Sequence, residues 1–303
     1  MRVLLAGTPH FAKVAFETLL AESSLGLEII ALLTQPDRIF GRKKELKAPE
    51  TKDFLLSRFP NLPVFQPECI DSDTIESLKA LKPDMIIVVA FGQILPQAFL
   101  DIAPCVNLHA SILPHLRGAS PIQEMILKQP RFFGVSVMQM ELGLDCGAVL
   151  GVGYVQNGGE NIQDLSQILA KKGAQVLLGV LKRKEILTPL PQNHVDSSYC
   201  TKITRQDGLT TLHNAQEVYY KYLAYYGWPS VFLESGLKLT RIVGFTPQGE
   251  HKAGEILQIL PQSALIGCEQ GYLEVADVQP PNKKEMPITA YLLGARLCEG
   301  KCL

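Results

Sequence analysis

The longest uninterrupted apolar run in the chain, residues 85–91 (MIIVVAF), constrains the fold more than any other feature of the sequence. Its seven residues fall far short of the roughly 20 that a membrane-spanning helix needs. A short apolar run of this kind is typical of a strand covered on both faces of a sheet. Similar runs, separated by stretches with helical spacing, recur at residues 3–6, 27–34, 105–108 and 134–139. The alternation predicts an α/β fold with an open, mostly parallel, Rossmann-like sheet.

The pattern changes near residue 187, and a length of 303 residues fits two domains. Residues 188–198 (TPLPQNHVDSS) hold two prolines and no apolar period, which is typical of a linker. One amphipathic helix and about five strand-like runs follow, and these favour a small β-barrel or open sheet. We therefore predict an α/β domain over residues 1–187, a linker over 188–204 and a smaller C-terminal β-rich domain over 205–303.

The overall charge indicates no nucleic-acid or membrane partner, because 29 basic residues nearly balance 30 acidic ones. Locally, residues 38–47 carry a net charge of +4. Their basic members are Arg38, Arg42, Lys43, Lys44 and Lys47. Charge alone predicts a solvated loop here, since short charge runs are usually surface. Seven scattered cysteines without a C-x-x-C pair indicate a reduced, cytoplasmic protein with no structural zinc site.

Polar side chains follow the predicted strands where ligands bind in open α/β sheets, beyond the carboxyl ends. Asn107 and His109 close one strand on the same face, and Asp145 follows the strand 134–139 between two glycines. An amide, an imidazole and a carboxylate that converge there suit acyl transfer, since Asn and His stabilise an oxyanion and Asp orients and charges the His. From spacing alone the alternatives stay open: a hydrogen-bonded structural His and an Asp that only makes a turn.

The turn after the first strand, Gly7-Thr8-Pro9, does not match the G-x-G-x-x-G fingerprint. Pro9 also lacks the backbone N–H that a phosphate would need, so a dinucleotide site is disfavoured. The loop that begins at Phe91 and Gly92 is instead expected to hold a flat ligand with its backbone.

At residues 107–118 (NLHASILPHLRG) and 135–147 (VSVMQMELGLDCG) the chain resembles the folate-dependent formyltransferases. The similarity extends to residues 6–12 (AGTPHFA), to the basic segment TQPDRIFGRKK and to residues 226–234 (YGWPSVFLE). The Asn-x-His motif with a distant Asp is shared across that superfamily. The QPDR segment together with the β-rich domain is similar to the branch of the family that acts on initiator tRNA.

This resemblance implies an enzyme that transfers a formyl group from 10-formyltetrahydrofolate to the α-amino group of methionine on initiator tRNA, for translation initiation. Asn107, His109 and Asp145 become the catalytic residues. Asn107 and a protonated His109 are expected to donate hydrogen bonds to the oxyanion. Asp145 is expected to keep His109 charged and to carry away the amine proton through water. No metal is expected, because the formyl group on the folate is already activated.

The family pattern also implies a folate site and a tRNA site. The pterin is expected against the backbone of residues 88–92 and the loop 139–145, with the S-x-L-P segment as a rigid wall. The folate-binding residues are Val88, Val89, Ala90, Phe91, Gly92, Ser111, Leu113, Pro114, Gln139, Leu142, Gly143 and Leu144. The basic segment would enter the tRNA acceptor end, with Arg42 as the matching arginine. Arg117 is expected to be free to meet an anion.

One feature qualifies this resemblance, and other readings remain. His10 stands where the family usually has Asp. The resemblance implies that the C-terminal β-barrel is OB-like. The alternatives are a formyltransferase for an amino sugar nucleotide or a purine precursor, a formyltetrahydrofolate hydrolase, and a non-catalytic RNA-binding protein. We expect initiator methionyl-tRNA and folate as partners, and neither a membrane nor DNA.

Overall fold

The structure is a computed structural model that describes residues 1–41 and 44–303, with the backbone alone at residue 40. Contacts between Cα atoms divide the chain into two compact units. Unit 1 consists of Met1–Pro121, Phe132–Gln156 and Ser166–Cys200. Unit 2 consists of Ile122–Arg131, Asn157–Leu165 and Thr201–Leu303.

Strands and helices alternate through unit 1, whereas strands dominate unit 2. The strands are β1 (Arg2–Gly7), β2 (Glu28–Leu33), β3 (Arg38–Phe40), β4 (Glu45–Lys47), β5 (Val64–Phe65), β6 (Met85–Val89), β7 (Cys105–His109), β8 (Arg117–Gly118), β9 (Phe132–Gln139), β10 (Val149–Gln156), β11 (Tyr199–Cys200), β12 (Val231–Phe232), β13 (Lys238–Thr246), β14 (Ile256–Ile259), β15 (Ala264–Gly267), β16 (Tyr272–Gln279) and β17 (Met286–Pro287). The α-helices are α1 (His10–Leu20), α2 (Glu50–Arg58), α3 (Ser72–Ala80), α4 (Gln97–Leu100), α5 (Pro121–Lys128), α6 (Ile162–Arg183), α7 (Ala215–Ala224) and α8 (Ile288–Ala295). Short 3-10 helices lie at Ser23–Leu25, His194–Asp196 and Arg205–Gly208.

The central sheet of unit 1 has seven strands in the order β10-β9-β7-β6-β1-β2-β5. The strands from β7 to β5 in this order run parallel. The pairs β7–β9 and β9–β10 are antiparallel. Every residue of β6 is buried, as its continuous apolar sequence predicts. The sheet therefore confirms the predicted open, mostly parallel, Rossmann-like architecture.

Prolines and a capping aspartate explain where three helices of unit 1 begin. Pro9 and Pro49 precede the first residues of α1 and α2, where a missing N–H costs nothing. Asp71 caps α3, because its carboxylate accepts a hydrogen bond from the Thr74 N–H at 2.8 Å. Hydrogen bonds from the side chain and then from the backbone of Thr74 lower the pKa of Asp71. The apolar face of α1, including Phe16 and Leu19, is buried.

The basic segment is a short antiparallel hairpin, here called the basic hairpin (residues 38–47). Arg38 pairs with Lys47, and Ile39 pairs with Leu46. The side chains of Ile39 and Leu46 are 68% and 69% exposed. This part of the chain therefore has defined strands and is not only a solvated loop, although Arg42 and Lys43 lie outside the described residues.

Residues 188–200, here called the connector segment, pair with other strands of unit 1 near both of their ends. Leu190 forms an isolated antiparallel bridge with Val149, and β11 pairs in parallel with β8. The segment that composition predicts to be a linker is thus hydrogen-bonded at both ends within unit 1.

Unit 2 contains an antiparallel sheet in the order β12-β13-β16-β15-β14, with β17 on β16. Helix α7 begins after Asn214, whose side chain accepts from the Glu217 N–H at 3.1 Å. Its Tyr219 packs against Phe245 of β13, with ring centroids 5.2 Å apart. The two units confirm the predicted fold class, an α/β sheet followed by a smaller, barrel-like β domain. In the described part of the chain, no helix is long and apolar enough to span a bilayer.

Candidate functional site

Asn107 and His109 lie on one face of β7, in the middle of the central sheet. Their side chains are 8% and 6% exposed. Asn107 pairs with Val88 of β6 on one side and with Met138 of β9 on the other. Within residues 1–41 and 44–303, the Asn107 amide has no hydrogen-bond partner. A largely buried amide with unused bonding capacity is suited to receive a ligand.

Both ring nitrogens of His109 face acceptor atoms of the protein. Nε2 lies 2.9 Å from the Leu116 carbonyl oxygen. Since a carbonyl only accepts, Nε2 carries a proton and donates it. Nδ1 lies 3.6 Å from Oδ2 of Asp145. At 3.6 Å the two atoms form no hydrogen bond, and the carboxylate faces the ring as a nearby negative charge.

Asp145 is held in place by the segment around β8. Its Oδ2 accepts a hydrogen bond from the Gly118 N–H at 2.8 Å. Its backbone is left-handed, with φ of 49°, and Leu116 and Ala90 share this conformation with φ of 57° and 47°. Non-glycine residues in this region are strained and persist only where surrounding structure holds them. Three of the ten described non-glycine residues with positive φ therefore belong to the segments that form this site.

The structure brings Asn107, His109 and Asp145 into one region, but the direction of β9 differs from the one expected. The expectation places Asp145 by the carboxyl end of its strand, beside the carboxyl end of β7. Strand β9 instead runs antiparallel to β7, so Gln139 pairs with Val106 and Ser136 pairs with His109. Asp145 reaches His109 because the connection between β9 and β10 returns toward the carboxyl end of β7.

The predicted folate-binding residues divide into a buried and an exposed group. Val88, Val89, Phe91, Ser111 and Leu113 are buried. Ala90, Gly92, Gln139, Leu142, Gly143 and Leu144 are exposed, and Pro114 is intermediate. Leu142 and Leu144 expose 67% and 57% of their side chains. Two exposed leucines in one loop provide apolar surface for a flat ring.

The S-x-L-P segment is fastened to the sheet. The Ser111 hydroxyl donates to the His115 carbonyl at 2.6 Å. The Leu113 N–H donates to the Ser136 hydroxyl at 3.0 Å. The Leu113–Pro114 peptide bond is cis. The segment thus has the fixed geometry that a wall beside His109 requires.

The prediction that Arg117 is free to meet an anion is wrong, because the structure encloses this side chain. It is 1% exposed and is among the largest fully buried side chains. Its guanidinium donates to Gln192 Oε1 from Nε at 3.0 Å and from Nη2 at 2.7 Å. Nη1 lies 3.2 Å from both His194 Nδ1 and the Tyr199 hydroxyl. A guanidinium enclosed by neutral acceptors is a structural group and does not face a tRNA phosphate.

The basic hairpin presents its described charges at the surface. Arg38 is exposed and its Nη2 lies 2.6 Å from Glu68 Oε2. Lys44 and Lys47 are also exposed. Behind the hairpin, Lys52 Nζ donates to both Asp37 carboxylate oxygens at 2.9 Å. Hydrogen bonds from Gln66 and then Lys52 lower the pKa of Asp37.

The site includes groups that the sequence pattern does not reveal. The Leu116 carbonyl and the Gly118 N–H contact His109 and Asp145 from within the motif at residues 107–118. The Gln192 side chain contacts the Asp145 carbonyl from outside any recognisable motif. His10 lies 2.6 Å from Glu50 Oε2, and both are exposed. Among the described residues, no cluster of three His, Cys, Asp or Glu side chains has metal-binding geometry.

Comparison with known proteins gives this arrangement a family. The formyl transferase model matches residues 1–181, and the model of the formyl transferase C-terminal domain matches residues 202–296. The chain belongs to the formyl transferase family and is a formyltransferase enzyme. Methionyl-tRNA formyltransferase of Helicobacter acinonychis (strain Sheeba) is 44% identical to it over 304 residues, which cover 100% of both chains. That of Wolinella succinogenes is 45% identical and covers 100% of this chain and 99% of its own.

Solved structures share the fold at low sequence identity. An N-formyltransferase from Helicobacter canadensis has a TM-score of 0.65 at 16% identity, covering 91% of this chain and 99% of its own. Methionyl-tRNA formyltransferase from Clostridium thermocellum has a TM-score of 0.56 at 17% identity, covering 80% of this chain and 92% of its own. At these identities the similarity is one of fold.

Proposed function

We propose that this protein transfers the formyl group of 10-formyltetrahydrofolate to the α-amino group of methionine on initiator tRNA, for translation initiation. The observation that carries the proposal is the juxtaposition of Asn107, His109 and Asp145 in a chain whose full-length relatives are named methionyl-tRNA formyltransferases. Initiation of bacterial translation is cytoplasmic, so we place the protein in the cytoplasm. Neither DNA nor a membrane takes part in this reaction.

The chemistry begins when the lone pair of the methionine amine attacks the formyl carbon. A C–N bond forms and the formyl oxygen becomes an oxyanion. The unpartnered amide of Asn107 donates a hydrogen bond to that oxygen, a contribution of up to about 3–4 kcal/mol. Because both nitrogens of His109 are directed at Leu116 and Asp145, this arrangement favours stabilisation by the charge of the imidazolium over the direct hydrogen bond expected from sequence.

Collapse of the intermediate requires that one proton move. The amine loses a proton, the bond between the formyl carbon and N10 of the folate breaks, and N10 gains a proton to give tetrahydrofolate. In our proposal Asp145 takes up the amine proton through a water and returns it to N10. Its Oδ2 already accepts from Gly118, which leaves Oδ1 for that exchange.

The substrates approach from the exposed groups around these three residues. The pterin lies against the backbone of residues 88–92 and the exposed leucines of the loop between β9 and β10. The basic hairpin contacts the acceptor end of the tRNA, through Arg38, Lys44 and Lys47 and through Arg42 and Lys43 between its strands. Lys and Arg contact phosphates with salt-dependent affinity, and an unpaired RNA end supplies the selectivity.

The proposal is tested by incubating the purified chain with 10-formyltetrahydrofolate and either methionyl initiator tRNA or free methionine. We expect formyl-methionine on the tRNA, tetrahydrofolate in equal amount, and no product from free methionine. A dTDP-linked amino sugar serves as the competing acceptor. Formylation of the sugar in place of the tRNA would contradict the proposal, and so would folate hydrolysis without any formylated acceptor.

A further inference from the structure

Gln192 is a buried side chain of the connector segment, only 8% exposed. Its Nε2 donates to the carbonyl oxygens of Asp145 at 3.0 Å and Gly147 at 2.7 Å. Its Oε1 accepts from Nε and Nη2 of Arg117 at 3.0 and 2.7 Å. Two donated and two accepted hydrogen bonds use the full capacity of a glutamine amide.

Arg117 sets the orientation of this amide. A guanidinium only donates and a carbonyl only accepts, so Oε1 must face Arg117 and the NH2 group must face the two carbonyls. Arg117 is held in turn by His194 and Tyr199 of the connector segment, and its N–H donates to the Ser198 carbonyl at 2.8 Å. This series of hydrogen bonds thus connects β8, through the Gln192 amide, to the loop that carries Asp145.

The Asp145 loop requires hydrogen bonds from neighbouring groups to keep its conformation. Asp145 has the left-handed φ of 49°, a conformation that costs an aspartate free energy unless neighbouring groups enforce it. Gly118 holds the carboxylate, and Gln192 holds the carbonyls on either side of Cys146. Each anchor fixes a different part of the loop, and together they set the direction in which the carboxylate points.

We propose that Gln192, oriented by Arg117, is a positioning residue for formyl transfer, which keeps the Asp145 carboxylate facing His109. The inference rests on the proposed role of Asp145. It also assigns a task to the connector segment, which composition alone describes as a linker. Gln192 touches no reacting atom and acts through Asp145.

The test is Gln192→Glu, which keeps an acceptor for Arg117 but sets a carboxylate oxygen against the two carbonyls. Val195→Ala is the matched control, because Val195 lies in the same segment and is 90% exposed. We expect kcat to fall at least tenfold, the KM for methionyl-tRNA to stay within twofold, and the control to match the unaltered enzyme. In an Asp145→Asn background the effect of Gln192→Glu should shrink to twofold or less. An undiminished effect in that background, or an unchanged kcat in the parent, overturns the proposal.

A second measurement does not depend on activity. Cys146 is half-buried within the loop, and Cys69 is exposed elsewhere in unit 1. We expect alkylation of Cys146, resolved by peptide mass spectrometry, to accelerate at least fivefold in Gln192→Glu while Cys69 is unchanged. If the Glu variant does not fold, the Cys146 alkylation rate is measured in Gln192→Met instead. Methionine has a similar length but neither donates nor strongly accepts a hydrogen bond. An unchanged Cys146 rate in a folded variant overturns the proposal even if the protein formylates no tRNA.

Discussion

The site around Asn107 and the basic hairpin lie in the same unit but are built in opposite ways. At the site, the polar side chains are largely enclosed, and His109 Nε2 and Asp145 Oδ2 have fixed hydrogen-bond partners. On the hairpin, the charged side chains are exposed and an aliphatic pair, Ile39 and Leu46, faces outward. The first arrangement suits a reaction that tolerates little displacement, and the second suits a flexible polyanion. Loss of a group at the site should therefore lower kcat, whereas loss of one on the hairpin should raise a KM.

The largest effect is expected from Asn107→Ala. Removal of the buried Asn107 amide, which has no hydrogen-bond partner among the described residues, should lower kcat by about 10²–10³-fold, the usual cost of one oxyanion donor. Single-turnover formylation measures this, and Asn61→Ala, at an exposed position in the same unit, is the control. A fall in kcat below about threefold would contradict this prediction, because the buried amide would then not act on the reaction.

Asp145→Asn comes next, since the amide can still accept from Gly118 but cannot take a proton. We expect kcat to fall about 10²-fold, as for loss of a general base, with little change in the KM for folate. Glu141→Gln changes an exposed carboxylate of the same loop and should leave kcat unaltered. An unchanged rate of the chemical step in Asp145→Asn would exclude the carboxylate from proton transfer.

A smaller effect is expected from joint substitution of Lys44 and Lys47 by Ala. The KM for tRNA should rise about three- to tenfold, and the salt dependence of tRNA binding should weaken by about two phosphate contacts. The KM for folate should not change. Lys182→Ala, a surface lysine paired with Glu22, controls for loss of charge elsewhere. If both KM values rise together, the hairpin supports the fold and does not select the tRNA.

The smallest effect concerns Asp37, at the base of the hairpin. Its pKa is lowered by Gln66 and Lys52 from a starting value of 3.8. A lowered pKa in the folded state stabilises the protein above the unfolded pKa, and this contribution disappears as the pH falls below it. Asp37→Asn should therefore cost about 0.5–1 kcal/mol of unfolding free energy at pH 7. The cost should vanish in acid below the lowered pKa, as measured by urea unfolding at both pH values. A cost that persists in acid would assign the effect to packing.

Local sequence pattern predicts the strands of unit 1 well, because short apolar runs have few alternatives to a buried strand. It does not predict the direction of β9, since the residues of a buried strand are the same whether it runs parallel or antiparallel. The basic hairpin also escapes prediction, because Arg38–Phe40 and Glu45–Lys47 are too short to show an alternating pattern.

At the site, motif spacing predicts which residues meet but not what surrounds them. Asn107, His109 and Asp145 follow from the strand positions and from the family resemblance. The burial of Arg117 does not, because its partner Gln192 lies 75 residues away along the chain. Nor does any local pattern show that Nε2 of His109 is already bonded to the Leu116 carbonyl.

The pairing of the connector segment bears on where the chain is divisible. A fragment that ends at residue 187, the boundary suggested by composition, or at residue 181, where the family model stops, would lack Leu190, Gln192 and β11. Its Asp145 loop would lose the amide that binds two of its carbonyls, although every side chain proposed to be catalytic would be present. A fragment that extends through Cys200 keeps them all. The end of the first family-model match and the end of the segment that holds the Asp145 loop therefore fall at different residues.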